Sequence, residues 1–514
     1  MQAPSIARGW RALCPLLARP VARDAAALVA GCLLALAFAP FNLWPLALLA
    51  PALLFRLWLD CGRRRAAWRG WLFGVGLWGL GVYWIYHSLH LFGAAVGPLA
   101  GVLTVAFIFA LAALYAVLGA LIAGRPRAAR GGVWFLFVLP GAWVALEWVR
   151  SWLLTGFPWL LLGTSQVDTA IAGFAPLVGV YGMGLLLALG AGALAWLPDL
   201  RVRLRLLPLA VLAALWLVGA GLGTLTWSRA GGHPFDAALI QGNIAQGQKF
   251  EDIERSLRLY EALTAQVADR AELVLWPETA VPTFYERVEA RLTRLHRAME
   301  AAGTQVVTGV FTSDPSGTRY YNAVRPLAPA ASDYRKQRLV PFGEYMPLRG
   351  VLQFLERYIR IPMSDIAAGE GDQPPLEPGD FELGASVCYE AAYPGVMRRI
   401  AARSSVLLNV SNDGWFGDST APHQHLQIAR LRALETARPM LRATNTGISA
   451  IIDHRGQVLA RGEAFRVTIV EARVEPRTGL TPYVRVGDAP AVVLAFACAL
   501  LPGWLSRRRR ARES

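Results

Sequence analysis

Lysine is almost absent from this sequence. Among 51 basic residues only Lys249 and Lys336 are lysine, and all the others are arginine. Cysteine is nearly as scarce. Of the five, Cys14, Cys32, Cys61 and Cys498 lie outside residues 228–486, which hold Cys388 alone. A single thiol excludes a disulfide within that block, and by itself it reads as an inert buried cysteine. Charge is also sparse along residues 25–226, where runs such as "GVLTVAFIFALAALYAVLGALIAG" carry none. With 55% hydrophobic and 10% aromatic residues, the chain is too apolar for a soluble enzyme of ordinary composition.

Runs of about 18 or more apolar residues read as spanning helices, because a helix satisfies its own backbone within hydrocarbon. About eight spans are expected, near 25–40, 42–59, 70–92, 95–123, 132–150, 169–197, 206–226 and 488–505. The second and sixth are interrupted by Pro or Gly. Arginine groups lie at the amino end (Arg8, Arg11, Arg19, Arg23) and at 56–69, 125–130, 201–205 and 507–512. They alternate with the charge-poor connections "FAPFN", "HSLHLFGAAVG" and "WLLTGFPWLLLG". Eight spans put every arginine group on one side, the positive-inside pattern, with both termini cytoplasmic. The expected organisation is a membrane domain at 1–227 with seven helices, an extracytoplasmic domain at 228–486, and a last helix with a basic tail at 487–514. The first apolar stretch lacks a small-residue cleavage site, so no cleavable leader is expected.

The net charge of +15 is not a nucleic-acid signal. Residues 228–486 carry 30 basic and 29 acidic side chains, so the excess sits almost wholly in the apolar part and its loops.

In 228–486 short apolar runs alternate with helical patterns. "FDAALIQGNI", "AELVLWPE", "TQVVTGVF", 319–327, 331–336, "ELGASVCYE", "SSVLLNVSND", "GISAIID", 455–460 and "RVTIVEARV" read as strands. Residues 251–269, 284–302, "YPGVMRRIAAR" and 422–437 read as helices. This alternation predicts a layered α/β domain, with a hairpin turn at "DHRGQV". Glu278, Lys336 and Cys388 each fall at a strand end, where a rigid scaffold meets an open cleft.

A thiol is mostly protonated at neutral pH, and its thiolate is the nucleophile. Glu278 would take that proton as general base. Attack on a carbonyl creates an oxyanion, which a compact ammonium at Lys336 suits better than a planar guanidinium, and the same cation would favour the thiolate. Chance retention of a lysine is the plain alternative, and Lys249 shows that a surviving lysine need not be catalytic.

"WPET" at 276–279, "KQRLVPFGEYMP" at 336–347, "VCYE" at 387–390 and the run from "LLNVSNDGWFGDS" to "GISAIID" at 407–453 resemble apolipoprotein N-acyltransferases. "YWIYHSL", "LEWVRSW" and "GFPW" extend the resemblance into the apolar part. It implies a polytopic α-helical membrane body joined to an extramembrane nitrilase-like domain, a four-layer αββα sandwich. It also implies ping-pong acyl transfer in a bacterial cytoplasmic membrane, with the catalytic domain periplasmic. Glu278 matches the family's general base, Lys336 its oxyanion-stabilising lysine and Cys388 its nucleophile. A phospholipid, typically phosphatidylethanolamine, donates the acyl chain, and the amino-terminal diacylglyceryl-cysteine of an apolipoprotein accepts it. Glu344 matches a glutamate supporting the lysine, and Tyr389 and Glu390 match positioning residues. Phe250 stands where the family usually has tryptophan. No cofactor is implied, and a monomer is expected.

Trp415 and Phe416, exposed aromatics in the Gly-bracketed loop 412–418, are expected to form a lid or touch the acyl chain, with a structural turn as the alternative, and Trp148 is a further expected substrate contact. An arm dipping toward lipid is expected over 346–363. His423 and His425, two apart on a helix, face differently and predict no metal site. Glu435 reads as a helix ion-pair partner of Arg432 and Arg438. His87, His90, Glu147 and Arg150 are expected near outer span ends as interfacial anchors. The Glu-Lys-Cys set alone fits equally a membrane-tethered amidase using water as acceptor. A transporter with a binding-only outer domain is disfavoured by the few polar residues in the spans.

Overall fold

A computed structural model describes residues 19–59, 61–92, 96–123, 131–341, 343–345, 350 and 366–500. The chain forms two compact units. One comprises the described residues up to Tyr86, Pro98–Leu225 and the chain from Asp488 on; the other comprises His87–Gly97 and Thr226–Gly487.

The first unit is helical: α1 Pro20–Ala35, α2 Leu46–Leu57, α3 Arg63–Gly81, α4 Gly97–Ala123, α5 Leu139–Arg150, α6 Ala175–Trp196 and α7 Leu206–Gly223. A shorter apolar helix, Ala489–Leu500, belongs to it as well. Three helical stretches, Gly97–Ala123, Ala170–Asp199 and Val202–Gly223, are long and apolar enough to cross a membrane. The interruptions expected in the second and sixth stretches are Pro51 within α2 and Gly179, at φ 63°, within α6. Helices α1 and α3 pack backbone to backbone. A Cβ on Gly31 would lie 2.0 Å from the Phe73 carbonyl oxygen, and one on Gly76 would lie 2.2 Å from that of Leu28. Small residues permit this approach where no hydrophobic force drives helices together.

The arginine group at 56–69 departs from a plain basic loop. Arg56 and Arg69 are buried; Arg56 pairs with Asp199 at 2.5 Å and Arg69 with Asp24 at 3.0 Å. Glu147 and Arg150 are likewise buried rather than interfacial. Trp143 and Leu162 N–H donate to Glu147, and Arg150 donates to the carbonyls of Phe157 and Trp159. The arginine groups at 125–130 and 507–512 and, but for Gly350, the expected arm at 346–363 lie outside the described residues.

The second unit is a layered α/β domain. Besides a two-stranded pairing of Arg229–Ala230 with Arg477–Thr478, the strands of its two main sheets are β1 Phe235–Gln241, β2 Leu273–Leu275, β3 Val281–Phe284, β4 Gln305–Ser313, β5 Tyr320–Pro326, β6 Tyr334–Arg335, β7 Leu383–Val387, β8 Val406–Ser411, β9 Met440–Thr444, β10 Ala450–Ile452, β11 Val458–Arg461 and β12 Thr468–Val474. One sheet runs β12-β1-β2-β4-β5-β6, with β3 also on β4; the other runs β11-β10-β9-β8-β7. Helices α8 Ile253–Ala265 and α9 Tyr285–Ala301 cover the first, and α10 Pro394–Ala401 and α11 Ala421–Thr436 the second. The inner faces meet, with Ser449 Oγ donating to Gln241 Oε1 at 2.7 Å. The four layers are those of an αββα sandwich.

Local chemistry explains the elements. Asp252 caps α8 by accepting from Arg255 N–H, and Leu257, Tyr260 and Thr264 recur on its buried face. Tyr260 stacks on Trp276 at 5.2 Å, and the Trp276 indole donates to Thr264 Oγ1. Truncating Trp276 to alanine would cost about 3–5 kcal/mol. The "DHRGQV" turn joins β10 to β11, with Gly456 at φ 75°. Strand β9 is the departure from expectation. Its sequence "MLRAT" places Arg442 in mid-strand, yet it is the central, fully buried strand of its sheet.

Candidate active site

Three strand ends bring the expected residues together. Glu278 follows β2, Lys336 directly follows β6, and Cys388 directly follows β7. All three are buried, at 5%, 1% and 6% exposure. Lys336 Nζ lies 2.7 Å from Glu344 Oε1 and 3.6 Å from Glu278 Oε1. Asn322 on β5 links the two carboxylates: its Nδ2 donates to Glu278 Oε1 at 2.7 Å and to Glu344 Oε1 at 3.3 Å. Its carbonyl accepts from Lys336 N–H, while Val340 N–H donates to Glu344 Oε2. Glu278 Oε2 is buried without a hydrogen-bond partner, a lone pair left for a proton. The Glu278 segment presses onto β4, where only glycine fits. A Cβ on Gly309 would stand 2.5 Å from the Pro277 carbonyl oxygen.

The electrostatics correct one expectation. Lys336 does favour the Cys388 thiolate, but burial and the Glu278 carboxylate outweigh it, and the thiol is pushed up to about 12. Cys388 therefore rests as a thiol, and any attack by its sulfur requires removal of that proton. For Lys336, burial alone would lower the ammonium's pKa. Glu344, then Glu278 and Cys388, more than offset it, so the lysine stays charged well above its ordinary range.

Cys388 has φ 53°, a left-handed conformation costly for a residue with a Cβ. Two sets of contacts hold it. Glu390, fully buried, accepts from Val387 N–H at 2.7 Å and Tyr334 Oη at 3.0 Å through Oε2, and from Gln337 N–H and Arg338 N–H at 2.6 and 3.0 Å through Oε1. It thus ties the nucleophile's turn to the strand end bearing Lys336. Burial raises its pKa, opposed by those backbone donors. Tyr389 is also buried, edge-on to Tyr393 at 5.2 Å.

The second set was not anticipated. His425 Nε2 donates to the Cys388 carbonyl at 3.0 Å, and Asn409 Nδ2 donates to the same oxygen at 3.3 Å. Arg442 Nη2 bridges Asp413 Oδ2 at 2.8 Å and His425 Nδ1 at 3.0 Å, and Arg442 also donates to Asn409 Oδ1. Burial, then Arg442, lowers the His425 pKa, opposed by Asp413, whose Oδ1 lies 3.1 Å from His425 Nδ1. The only outward signal was polar residues inside apolar runs: Asn322 in "YYNAV", Asn409 in "LLNVS" and Arg442 in "MLRAT". Among the described residues no cluster of His, Cys, Asp and Glu could hold a metal ion.

Residues 30–193 match the family described as apolipoprotein N-acyltransferase N-terminal domain, and residues 236–483 match carbon-nitrogen hydrolase. The apolipoprotein N-acyltransferase of Azotobacter vinelandii is 43% identical over 95% of this chain and 95% of its own. That of Methylococcus capsulatus is 42% identical over 95% of this chain and 96% of its own. A solved carbon-nitrogen hydrolase from Helicobacter pylori G27 is 18% identical with a TM-score of 0.37, covering 47% of this chain and 89% of that one. The chain belongs to the apolipoprotein N-acyltransferase family.

The remaining residues expected from that family resemblance sit less tightly. Phe250 is 44% exposed and stacks near Phe311 at 6.4 Å. Trp415 and Phe416 are half-buried in a short turn, not exposed as the sequence implied. Ser88 Oγ donates to the Trp415 carbonyl, and Phe416 lies edge-on to His425 at 6.2 Å. Trp148 belongs to the helical unit, against Trp152 and Phe496. Glu435 pairs with Arg432 at 3.1 Å as expected, but both are buried; Arg438 instead donates to the carbonyls of Ser404 and Gly479.

Proposed function

We propose that this chain is a phospholipid-dependent N-acyltransferase of lipoprotein maturation, with Cys388 as nucleophile, Glu278 as general base and Lys336 as oxyanion donor. The observation that carries the reading is the burial of these three groups together, with Glu278 Oε2 unpartnered beside a protonated thiol.

In the first half-reaction Cys388 Sγ attacks the ester carbonyl of a phospholipid, phosphatidylethanolamine by preference, and its proton passes to Glu278. Lys336 stabilises the oxyanion. The C–O bond breaks, the lysophospholipid leaves with the proton from Glu278, and a Cys388 thioester remains. In the second half-reaction the amine of an apolipoprotein's diacylglyceryl-cysteine attacks the thioester and gives a proton to Glu278. The C–S bond breaks, and that proton returns to the thiolate. A greasy, water-poor site protects the thioester between the two steps. Glu344, Glu390 and Tyr389 position these groups, while Phe250, Trp415, Phe416 and Trp148 are substrate contacts.

The same reading makes the protein a monomeric resident of the bacterial cytoplasmic membrane. Its membrane domain is 1–227, its periplasmic catalytic domain 228–486 and its last span 487–514, giving eight spans with cytoplasmic termini. The three long apolar helices and the shorter ones at Leu46–Leu57 and Ala489–Leu500 support this arrangement.

Mass spectrometry of the purified protein after incubation with phospholipid tests it. The expected product is one acyl chain on the Cys388 peptide, discharged onto a diacylglyceryl lipopeptide amine. Release of the chain as free fatty acid, with the lipopeptide unmodified, would instead mark a membrane-tethered amidase-type hydrolase.

A further inference from the structure

Lys249 is fully buried, and its Nζ donates to the Glu278 carbonyl at 2.9 Å and to Thr279 Oγ1 at 3.1 Å. In a chain that uses arginine at every other basic position, both lysines thus converge on one glutamate. At these two places the cation must end as a compact point inside the domain. Lys249 need not be catalytic to matter here, because it grips the backbone of Glu278 and the side chain of Thr279.

Charge balance says what it does. Among the described residues, Glu278 faces Lys336, Glu344 across Asn322, the Cys388 thiol and Lys249, with Asp413 acting on the thiol from behind. With Lys336 alone, two buried carboxylates would share one ammonium held 2.7 Å from Glu344 and 3.6 Å from Glu278. One buried negative charge of that pair would then lack a balancing cation, which is costly inside a protein. We infer that Lys249 is a positioning residue that fixes the backbone of the base and supplies a second cation beside this pair of carboxylates. The backbone needs fixing, since Thr279 sits at φ 47°. Burial lowers the Lys249 ammonium to about 7, so it is charged throughout the range in which carboxylates titrate. Phe250, the next residue, turns outward, so this anchor also holds a proposed substrate contact.

This inference rests on Glu278 being the base, and the experiment separates the two. The rate of Cys388 alkylation by iodoacetamide, read by peptide mass spectrometry across pH, needs no turnover. Below the thiol's own range it depends on Glu278 accepting the proton, giving an acid limb. In Lys249→Met that limb should move to higher pH by about one unit. Lys249→Gln, which keeps a neutral donor to the Glu278 carbonyl and Thr279, should show the same upward shift if the methionine variant does not accumulate. An acid limb left in place in the neutral variants, whatever their overall rate, overturns the inference. Glu278→Gln should abolish the limb; its persistence there would refute the base itself rather than Lys249.

Discussion

His425 Nε2 lies 3.0 Å from the carbonyl oxygen of Cys388. The histidine holds the peptide that sets Cys388 at φ 53°. Replacement by phenylalanine keeps an aromatic ring but removes the N–H. Loosening the nucleophile by around an ångström costs about a hundredfold in rate, so kcat should fall by that order with KM little changed. Arg442 and Asp413 lose a buried partner, at about 1–3 kcal/mol of stability. A variant with full kcat would remove His425 from the site's support.

That contact also marks where reading the sequence stops. The elements were legible because their apolar spacing matches their burial. Phe235–Gln241, Tyr285–Ala301 and Pro394–Ala401 lie where alternation or helical periodicity put them. Glu278 and Cys388 were legible because each ends an apolar run, and Lys336 because lysine is so scarce. The supporting network was not, for the opposite reason. Helix α11 is buried on nearly every face, so its periodicity carries no sign that His425 points at the nucleophile. Strand β9 hides behind a buried Arg442 that only its partners on other elements make tolerable. Lys249 lies 29 residues before Glu278, and its contact joins the chain before α8 to the chain after β2.

Lys336→Arg tests whether a point charge is required. The lysine side chain is 1% exposed between Glu344 and Glu278, which leaves little space for a planar fork. Charge is conserved but geometry is not, and loss of one oxyanion donor costs about a hundredfold to a thousandfold. The measurement is the yield of Cys388 thioester in a single turnover. Near-normal acylation would mean that any cation serves.

Cys388→Ser should form no ester adduct and should lose turnover to below about a thousandth of wild type. The hydroxyl proton is much harder to remove than a thiol proton, and Glu278 is already working against a thiol pushed up to about 12. Mass spectrometry for an acylated serine in this variant, alongside transfer to a lipopeptide, reads both outcomes. A stable ester on the substituted side chain without transfer would move the defect to the second half-reaction.

Acid should weaken the α/β domain through Asp413. Burial would raise this carboxyl's pKa, but Arg442, then His425 and Ser411, more than reverse it, holding it well below the ordinary range. A group whose folded pKa is depressed contributes stability that is fully present above its unfolded value, about 3.9, and is lost as pH falls through the folded one. Asp413→Asn leaves the Arg442 guanidinium buried without its anion, so the variant should be about 3–5 kcal/mol less stable at neutral pH. Below about pH 4 the gap to wild type should narrow, because wild-type Asp413 progressively loses what the variant never had. Urea unfolding in detergent, followed by tryptophan fluorescence at several pH values, measures the gap. A gap that stays constant into strong acid would mean that Asp413 holds Arg442 through hydrogen bonding alone, with its ionisation contributing nothing to the fold.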